Sequence, residues 1–189
     1  MEVIALVGHI KSGKSFVASI LEKQFGHKPL MMAGLAKSVV SQTEGVSLEQ
    51  LEDRKNKEKY RPLVKATAES LKKALGETVH CRYVDNLIHQ LYFTERRYSK
   101  FVVSDFRYPY EYLFFRERFR LLKTPVTYKI LKVESDLVDK TQASQVDSES
   151  YIDTYFNLPI IEGTIFNGKE QRYDRKNESL ISQLVKFVN

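Results

Sequence analysis

A chain of 189 residues has room for one domain with a sizeable core and too little for two. With 42% hydrophobic and 29% charged residues it reads as an ordinary globular protein, and no apolar run nears the roughly 20 residues a membrane span needs. The formal charge of +6 favours anionic partners, and the single cysteine, Cys81, excludes an internal disulfide, which suits a reducing, cytoplasmic compartment.

Met1 to Val7 is too short and too poor in basic residues for a signal peptide. Instead Glu2 to Val7 predicts a buried strand ending at Gly8. Lys14 to Phe25 predicts a helix with Phe16, Val17, Ile20 and Leu21 on one face and Gly26 as its stop. Pro29 to Met32 suits a short second strand, followed by a helix from about Leu35 to Thr43. Ser47, ahead of Glu49 and Gln50, is a helix N-cap signal opening a charged stretch to Lys59. Tyr60, Leu63, Val64, Leu71 and Leu75 keep helical spacing up to Gly76, and a further helix spans His80 to Tyr92.

Lys100 to Ser104 is the next buried strand and enters Asp105. Pro109 suits the first turn of a helix reaching Phe119, and Val126 to Val133 alternates like a strand. Glu134 to Ser150 is polar, without apolar periodicity and long for a loop, so a lid over 134–150 is expected. Thr164 to Asn167 reads as a last short strand, and Leu180, Ile181, Leu184, Val185 and Val188 mark a closing amphipathic helix. The alternation predicts an α/β fold in one domain, 1–189, with a parallel sheet covered by helices on both faces.

One motif is sharp. Gly8-His9-Ile10-Lys11-Ser12-Gly13-Lys14-Ser15 fits G-x-x-x-x-G-K-[ST] completely and lies between a predicted strand and a predicted helix. Its glycines let successive N–H groups turn toward an anion, and the helix N-terminus adds partial positive charge. Lys14 would reach the outer phosphates of ATP, and the Ser15 hydroxyl would ligate Mg²⁺. The competing account is a glycine-rich turn that merely ends a strand.

Phe101-Val102-Val103-Ser104-Asp105 is an apolar run ending in a carboxylate, placed to sit beside the loop and hold Mg²⁺ directly or through water. Arg107, two residues on, can grip a phosphate bidentately from the end of a central strand. Glu111 can orient Arg107, meet the acceptor, or form a plain surface salt bridge. A GTPase is disfavoured: Asp105-Phe106-Arg107-Tyr108 lacks Asp-x-x-Gly, and Asn56-Lys57-Glu58-Lys59 has lysine where guanine recognition needs aspartate.

These motifs resemble the deoxynucleoside monophosphate kinases of bacteriophages and related viruses, and their relative phosphomevalonate kinase. The resemblance runs through Lys11-Ser12-Gly13-Lys14, Ala33-Gly34-Leu35-Ala36-Lys37, Tyr60-Arg61-Pro62-Leu63-Val64 with Leu75-Gly76, Asp105 to Glu111, Asp147-Ser148-Glu149, and Phe166-Asn167-Gly168. Many relatives have aspartate at the place of Ser15 and leucine at that of Ala36. The resemblance implies a P-loop kinase using ATP and Mg²⁺. It places Gly8, Lys11, Ser12, Gly13, Lys14 and Ser15 on the donor, with Asn167 and Gly168 near the adenine, and Lys37, Arg61 and Arg107 around the acceptor phosphate. For Lys37 and Arg61 the residues alone would suggest only a solvated helix face.

Tyr108, Pro109 and Glu111 after Arg107 tilt this resemblance toward a nucleoside monophosphate as the acceptor, converted to the diphosphate. A phosphomevalonate-type kinase is the nearer rival, and a nucleic-acid-binding ATPase, suggested by the charge, the more distant one. A small-molecule substrate is expected as partner, with no membrane and no stable nucleic-acid partner; a homodimer is left open.

Overall fold

The computed structural model describes residues 1–136, 138, 161–168 and 177–188. The lid expected at 134–150 and the Asp147-Ser148-Glu149 motif lie almost wholly outside them; Glu134 itself ends a strand. In chain order the elements are β1 (Glu2–Val7), α1 (Lys14–Phe25), β2 (Lys28–Leu30), α2 (Gly34–Glu44), α3 (Leu48–Glu52), α4 (Arg54–Leu75) and α5 (Val79–His89). A π-helical turn (Gln90–Thr94) extends α5, followed by β3 (Lys100–Phe106), α6 (Pro109–Arg120), β4 (Thr127–Glu134), β5 (Ile161–Phe166) and α7 (Glu178–Val185).

The five strands form one sheet in the order β2-β3-β1-β4-β5, and every neighbouring pair is parallel. The expected α/β fold is therefore correct. All six residues of β1 are buried, as a central strand covered on both faces requires. Its side chains alternate between two cores. Val3, Ala5 and Val7 join Phe101 and Val103 beneath Cys81, Val84 and Ile88 of α5 and Phe115 and Phe119 of α6. Ile4 and Leu6 join Val102, Leu131, Val133 and Ile165 beneath Val17, Ala18, Ile20 and Leu21 of α1 and Leu180 and Leu184 of α7. Each Val, Leu, Ile or Phe among them contributes about 1.5–3 kcal/mol when fully buried. Cys81 is a free, buried thiol in the first of these cores, the inert role its isolation suggests.

Local signals account for most element ends. Gly26 and Gly45 close α1 and α2 in the left-handed conformation. Ser47 Oγ accepts from Gln50 N at 3.1 Å while Gln50 Oε1 accepts from Ser47 N at 2.7 Å, a reciprocal cap that starts α3. Two expectations change. The charged stretch before Tyr60 is not separate from the following helix, because α4 begins at Arg54 and runs 22 residues straight through Pro62. And β3 continues to Phe106, so Asp105 lies within the strand rather than after it. No described side chain of α4 is buried.

Candidate active site

Asp105 and the glycine loop leave the sheet side by side. Val7, the last residue of β1, is in register with Phe106 of β3, so the loop opening at Gly8 and the Asp105–Arg107 segment emerge from adjacent strands at the same edge. In parallel α/β sheets this carboxyl edge is where ligands bind.

The loop has the backbone of an anion cradle. Gly13 (φ 91°) and Lys11 (φ 68°) both adopt left-handed angles, and Ser12 N donates to His9 O at 3.1 Å. For Lys11 that conformation costs about 1–2 kcal/mol, an expense tolerated where the backbone must curl. Gly13 is the N-cap of α1, its carbonyl accepting from Phe16 N at 2.9 Å and Val17 N at 3.0 Å, so the partial positive charge of the helix start lies at the loop. Gly8 is pressed against β4: a Cβ there would stand 2.3 Å from Val133 O. Lys14 folds its ammonium across the loop, donating to Gly8 O at 2.5 Å and His9 O at 2.8 Å. Ser15 is exposed at the first turn of α1.

Asp105 is a structural anchor as well as a charge. Its Oδ1 accepts from Met32 N at 2.7 Å and its Oδ2 from Ala33 N at 3.1 Å, tying β3 to the turn that starts α2. As for a cation, among the described residues no cluster of three or more acidic, histidine or cysteine side chains could hold one alone. A lone hydroxyl at Ser15 and a carboxylate at Asp105 suit Mg²⁺ that takes its remaining oxygens from phosphates and water. The donor set fits.

Glu111 is not a surface salt-bridge residue. It is 4% exposed, and its Oε2 accepts from Arg107 N at 2.6 Å and Tyr108 N at 3.0 Å, fixing the backbone from which the Arg107 side chain projects. Burial pushes its carboxyl up to about 7, against the pull of those two amides, with Asp105 adding to the rise. Tyr108 and Tyr110 stack on one another with ring centroids 5.3 Å apart.

The basic residues expected around an acceptor are spread over more than one element. Lys37 of α2 donates to Met31 Sδ at 3.1 Å and pairs closely with Glu52, which also pairs with Lys57 at 3.0 Å. Burial alone would raise Glu52, yet the two lysines hold it below the usual carboxylate range. Arg61 is exposed on α4 and pairs with Glu58 at 2.8 Å, so for this residue the solvated-face account describes the geometry. Sequence reasoning missed three residues. Glu52 lies 15 positions from the lysine it holds. Lys72 of α4 sets its ammonium 4.4 Å from the Tyr108 ring centroid, with only 10% of the side chain exposed. His80 is buried, bonds Ala68 O at 3.2 Å through Nε2, and is pushed below the usual imidazole range, first by burial and further by Lys72, with Asp105 pulling the other way. No local pattern distinguishes these from other charged residues on helices.

Asn167, expected near an adenine, is fully buried, and its Nδ2 donates to Ser12 O at 2.9 Å. Gly168 beside it is also buried. Open hollows of about 460 and 270 Å³ lie at the opposite edge of the sheet, lined by Tyr92, Arg96 and Tyr98 and by Glu2, Lys100 and Lys129, away from this site.

A parallel five-stranded sheet with a glycine loop, carboxylate and guanidinium at one edge defines a P-loop kinase, an enzyme class that transfers phosphate to a small-molecule substrate. The phosphomevalonate kinase family model matches residues 6–121, well over half of the chain, from the end of β1 through α6. The chain belongs to that family. This match corrects the resemblance to viral deoxynucleoside monophosphate kinases. Of the residues that tilted the reading toward a nucleotide acceptor, Glu111 is spent on backbone amides and Tyr108 stacks on Tyr110.

No curated protein matches the sequence. Among solved structures, a protein of Chloroflexus aurantiacus described as a kinase aligns with a TM-score of 0.50 at 12% identity, covering 98% of this chain and 94% of that one. Dephospho-CoA kinase from Campylobacter jejuni aligns with a TM-score of 0.49 at 17% identity over 98% of both chains. At these identities the likeness is one of fold, and it is the first of the two that supports it. Among the described residues no helix is long and apolar enough to cross a membrane.

Proposed function

We infer that the chain, acting as one catalytic domain, transfers the γ-phosphoryl group of ATP to the phosphate of phosphomevalonate or a closely similar phosphorylated acid. The observation that supports this reading is the shared edge of β1 and β3: the glycine loop and the Asp105–Arg107 segment leave adjacent strands side by side, and the family match spans both. Phosphomevalonate is anionic at both ends, as a phosphate ester and as a carboxylate. Arg107, Lys72 and Lys37 offer cations on the acceptor side, with Arg61 further out on α4.

An oxygen of the acceptor phosphate attacks the γ-phosphorus, the bond to the β-phosphate oxygen breaks, and ADP leaves. The nucleophile is already anionic, so no base is required, and alignment with charge neutralisation supplies the catalysis. Lys14 exchanges its loop carbonyls for phosphate oxygens. The loop from Gly8 through Lys11, Ser12 and Gly13 to Ser15 presents amides to the donor. Ser15, with Asp105 through water, would hold Mg²⁺, which supplies charge neutralisation on the transferred group. Arg107, held by Glu111, grips the acceptor phosphate.

A coupled ATP-consumption assay with phosphomevalonate, dTMP, dGMP, dCMP and dAMP tests this. Turnover should appear with phosphomevalonate. Turnover confined to a nucleotide, or DNA-stimulated hydrolysis with no acceptor used, would overturn the reading.

A further inference from the structure

The phosphate loop is held from behind by a strand far away in sequence. Asn167 follows β5 directly, is fully buried, and is 155 residues from Ser12, whose carbonyl it binds through Nδ2 at 2.9 Å. Its own amide donates to Glu134 O at 2.8 Å, so one residue joins the ends of β4 and β5 to the loop. The same contact zone holds Gly8 against Val133 O, with room for hydrogen but not for a methyl group.

Two polar atoms in this zone, Ser12 Oγ and Asn167 Oδ1, are buried without a hydrogen-bond partner. Folding tolerates such atoms at a cost, and most buried amides are placed to satisfy both ends. Here only the donor end is used, and it is used on the loop backbone between Lys11 and Gly13, the two residues in left-handed angles. The carbonyl of Ser12 is thereby turned inward, toward β5. A peptide plane is rigid, so turning that carbonyl inward directs the following N–H, that of Gly13, to the opposite, outer side.

The geometry points to Asn167 as a positioning residue for the donor phosphates: it fixes the Ser12–Gly13 peptide so that the loop amide faces the anion. This deepens the donor-side assignment proposed above and rests on it. Being fully buried, the side chain acts through the loop rather than by its own contact with a ligand.

The test uses the full chain, a non-hydrolysable ATP analogue with Mg²⁺, and steady-state kinetics. Asn167→Ala should weaken analogue binding by about tenfold or more while the acceptor KM stays within about twofold. Gln183→Ala is the control. Gln183 bonds both Phe166 N and Phe166 O on β5 but makes no loop contact, so its loss should lower the melting temperature without changing nucleotide affinity. In the wild-type protein, the Asn167 side-chain amide protons should exchange slowly and shift on analogue binding, which needs no variant to fold. Unchanged affinity in Asn167→Ala, equal loss in Gln183→Ala, or fast exchange at the Asn167 amide would each overturn the proposal. If Lys14→Ala loses the analogue and Asn167→Ala keeps it, the positioning role alone falls. If the wild type binds no analogue, both readings fall.

Discussion

Asp105 holds Met32: its Oδ1 accepts the Met32 amide at 2.7 Å, and its Oδ2 the amide of Ala33 at 3.1 Å. A strand-end carboxylate beside a phosphate loop thus also sets the start of α2, the helix that carries Lys37.

Asp105→Ala leaves two partly buried amides without their acceptor. The expected loss is about 1–3 kcal/mol in urea unfolding, together with a raised demand for Mg²⁺ in turnover. Wild-type stability with only the Mg²⁺ shift would reduce Asp105 to a metal contact.

Lys14→Ala should lower kcat by at least about 100-fold, because in the proposed mechanism its ammonium leaves Gly8 O and His9 O to neutralise the transferred group. Far-UV circular dichroism should not change. Turnover at the wild-type rate would remove Lys14 from the mechanism.

Gly8→Ala places a methyl group 2.3 Å from Val133 O, a backbone atom of β4 held in the sheet and unable to swing aside. Destabilisation of about 1–3 kcal/mol, as for overpacking, and loss of nucleotide-dependent thermal stabilisation are expected. A variant that still gains the full melting shift with ATP would show the loop accommodating a Cβ.

Arg107→Ala should raise the acceptor KM by about tenfold or more and leave the ATP KM nearly unchanged; Arg107→Lys should fall between, keeping charge but losing the bidentate fork. Initial rates over a grid of both substrates separate the two constants.

Glu111 sets a pH dependence of stability with a definite sign. Its carboxyl stands near 7 in the folded chain against an ordinary value of 4.5, so between those limits the folded state keeps a proton that the unfolded state has lost. Stability therefore falls as pH rises from about 4.5 to about 7, by at most about 3 kcal/mol. Glu111→Gln, which can still accept from Arg107 N and Tyr108 N, should flatten that fall. Urea midpoints for both proteins at pH 5 and pH 8 give the comparison; parallel slopes would contradict it.

The glycine loop was legible because its geometry is local. Eight consecutive residues carry it, the apolar run before it announces β1, and the helical spacing after it announces α1. The placing of Asp105 and Arg107 beside it was readable in a similar way, from the apolar run that leads into them. The contacts around Lys37 and Tyr108 were not. Glu52 reaches Lys37, and Lys72 reaches Tyr108, only after α3 and α4 have packed, and no spacing records that. Glu111 was visible but misjudged as equally suited to the surface, since nothing in Pro109 to Arg120 reveals which face the sheet covers. The tilt toward a nucleotide acceptor, drawn from Tyr108, Pro109 and Glu111, gave way to the family match over residues 6–121; in the structure Tyr108 stacks on Tyr110 and lies under Lys72.

α4 spans 22 residues, and none of its described side chains is buried. Only half-buried positions such as Val64, Ala68 and Leu71 seat it, so lifting it re-wets less apolar surface than lifting a helix with buried side chains. α1, by contrast, seats Val17, Ala18, Ile20 and Leu21 in the core. Opening should therefore be easier along α4, which carries Arg61 and Lys72, than at α1 behind the glycine loop, so amide exchange should begin on α4 and reach α1 last.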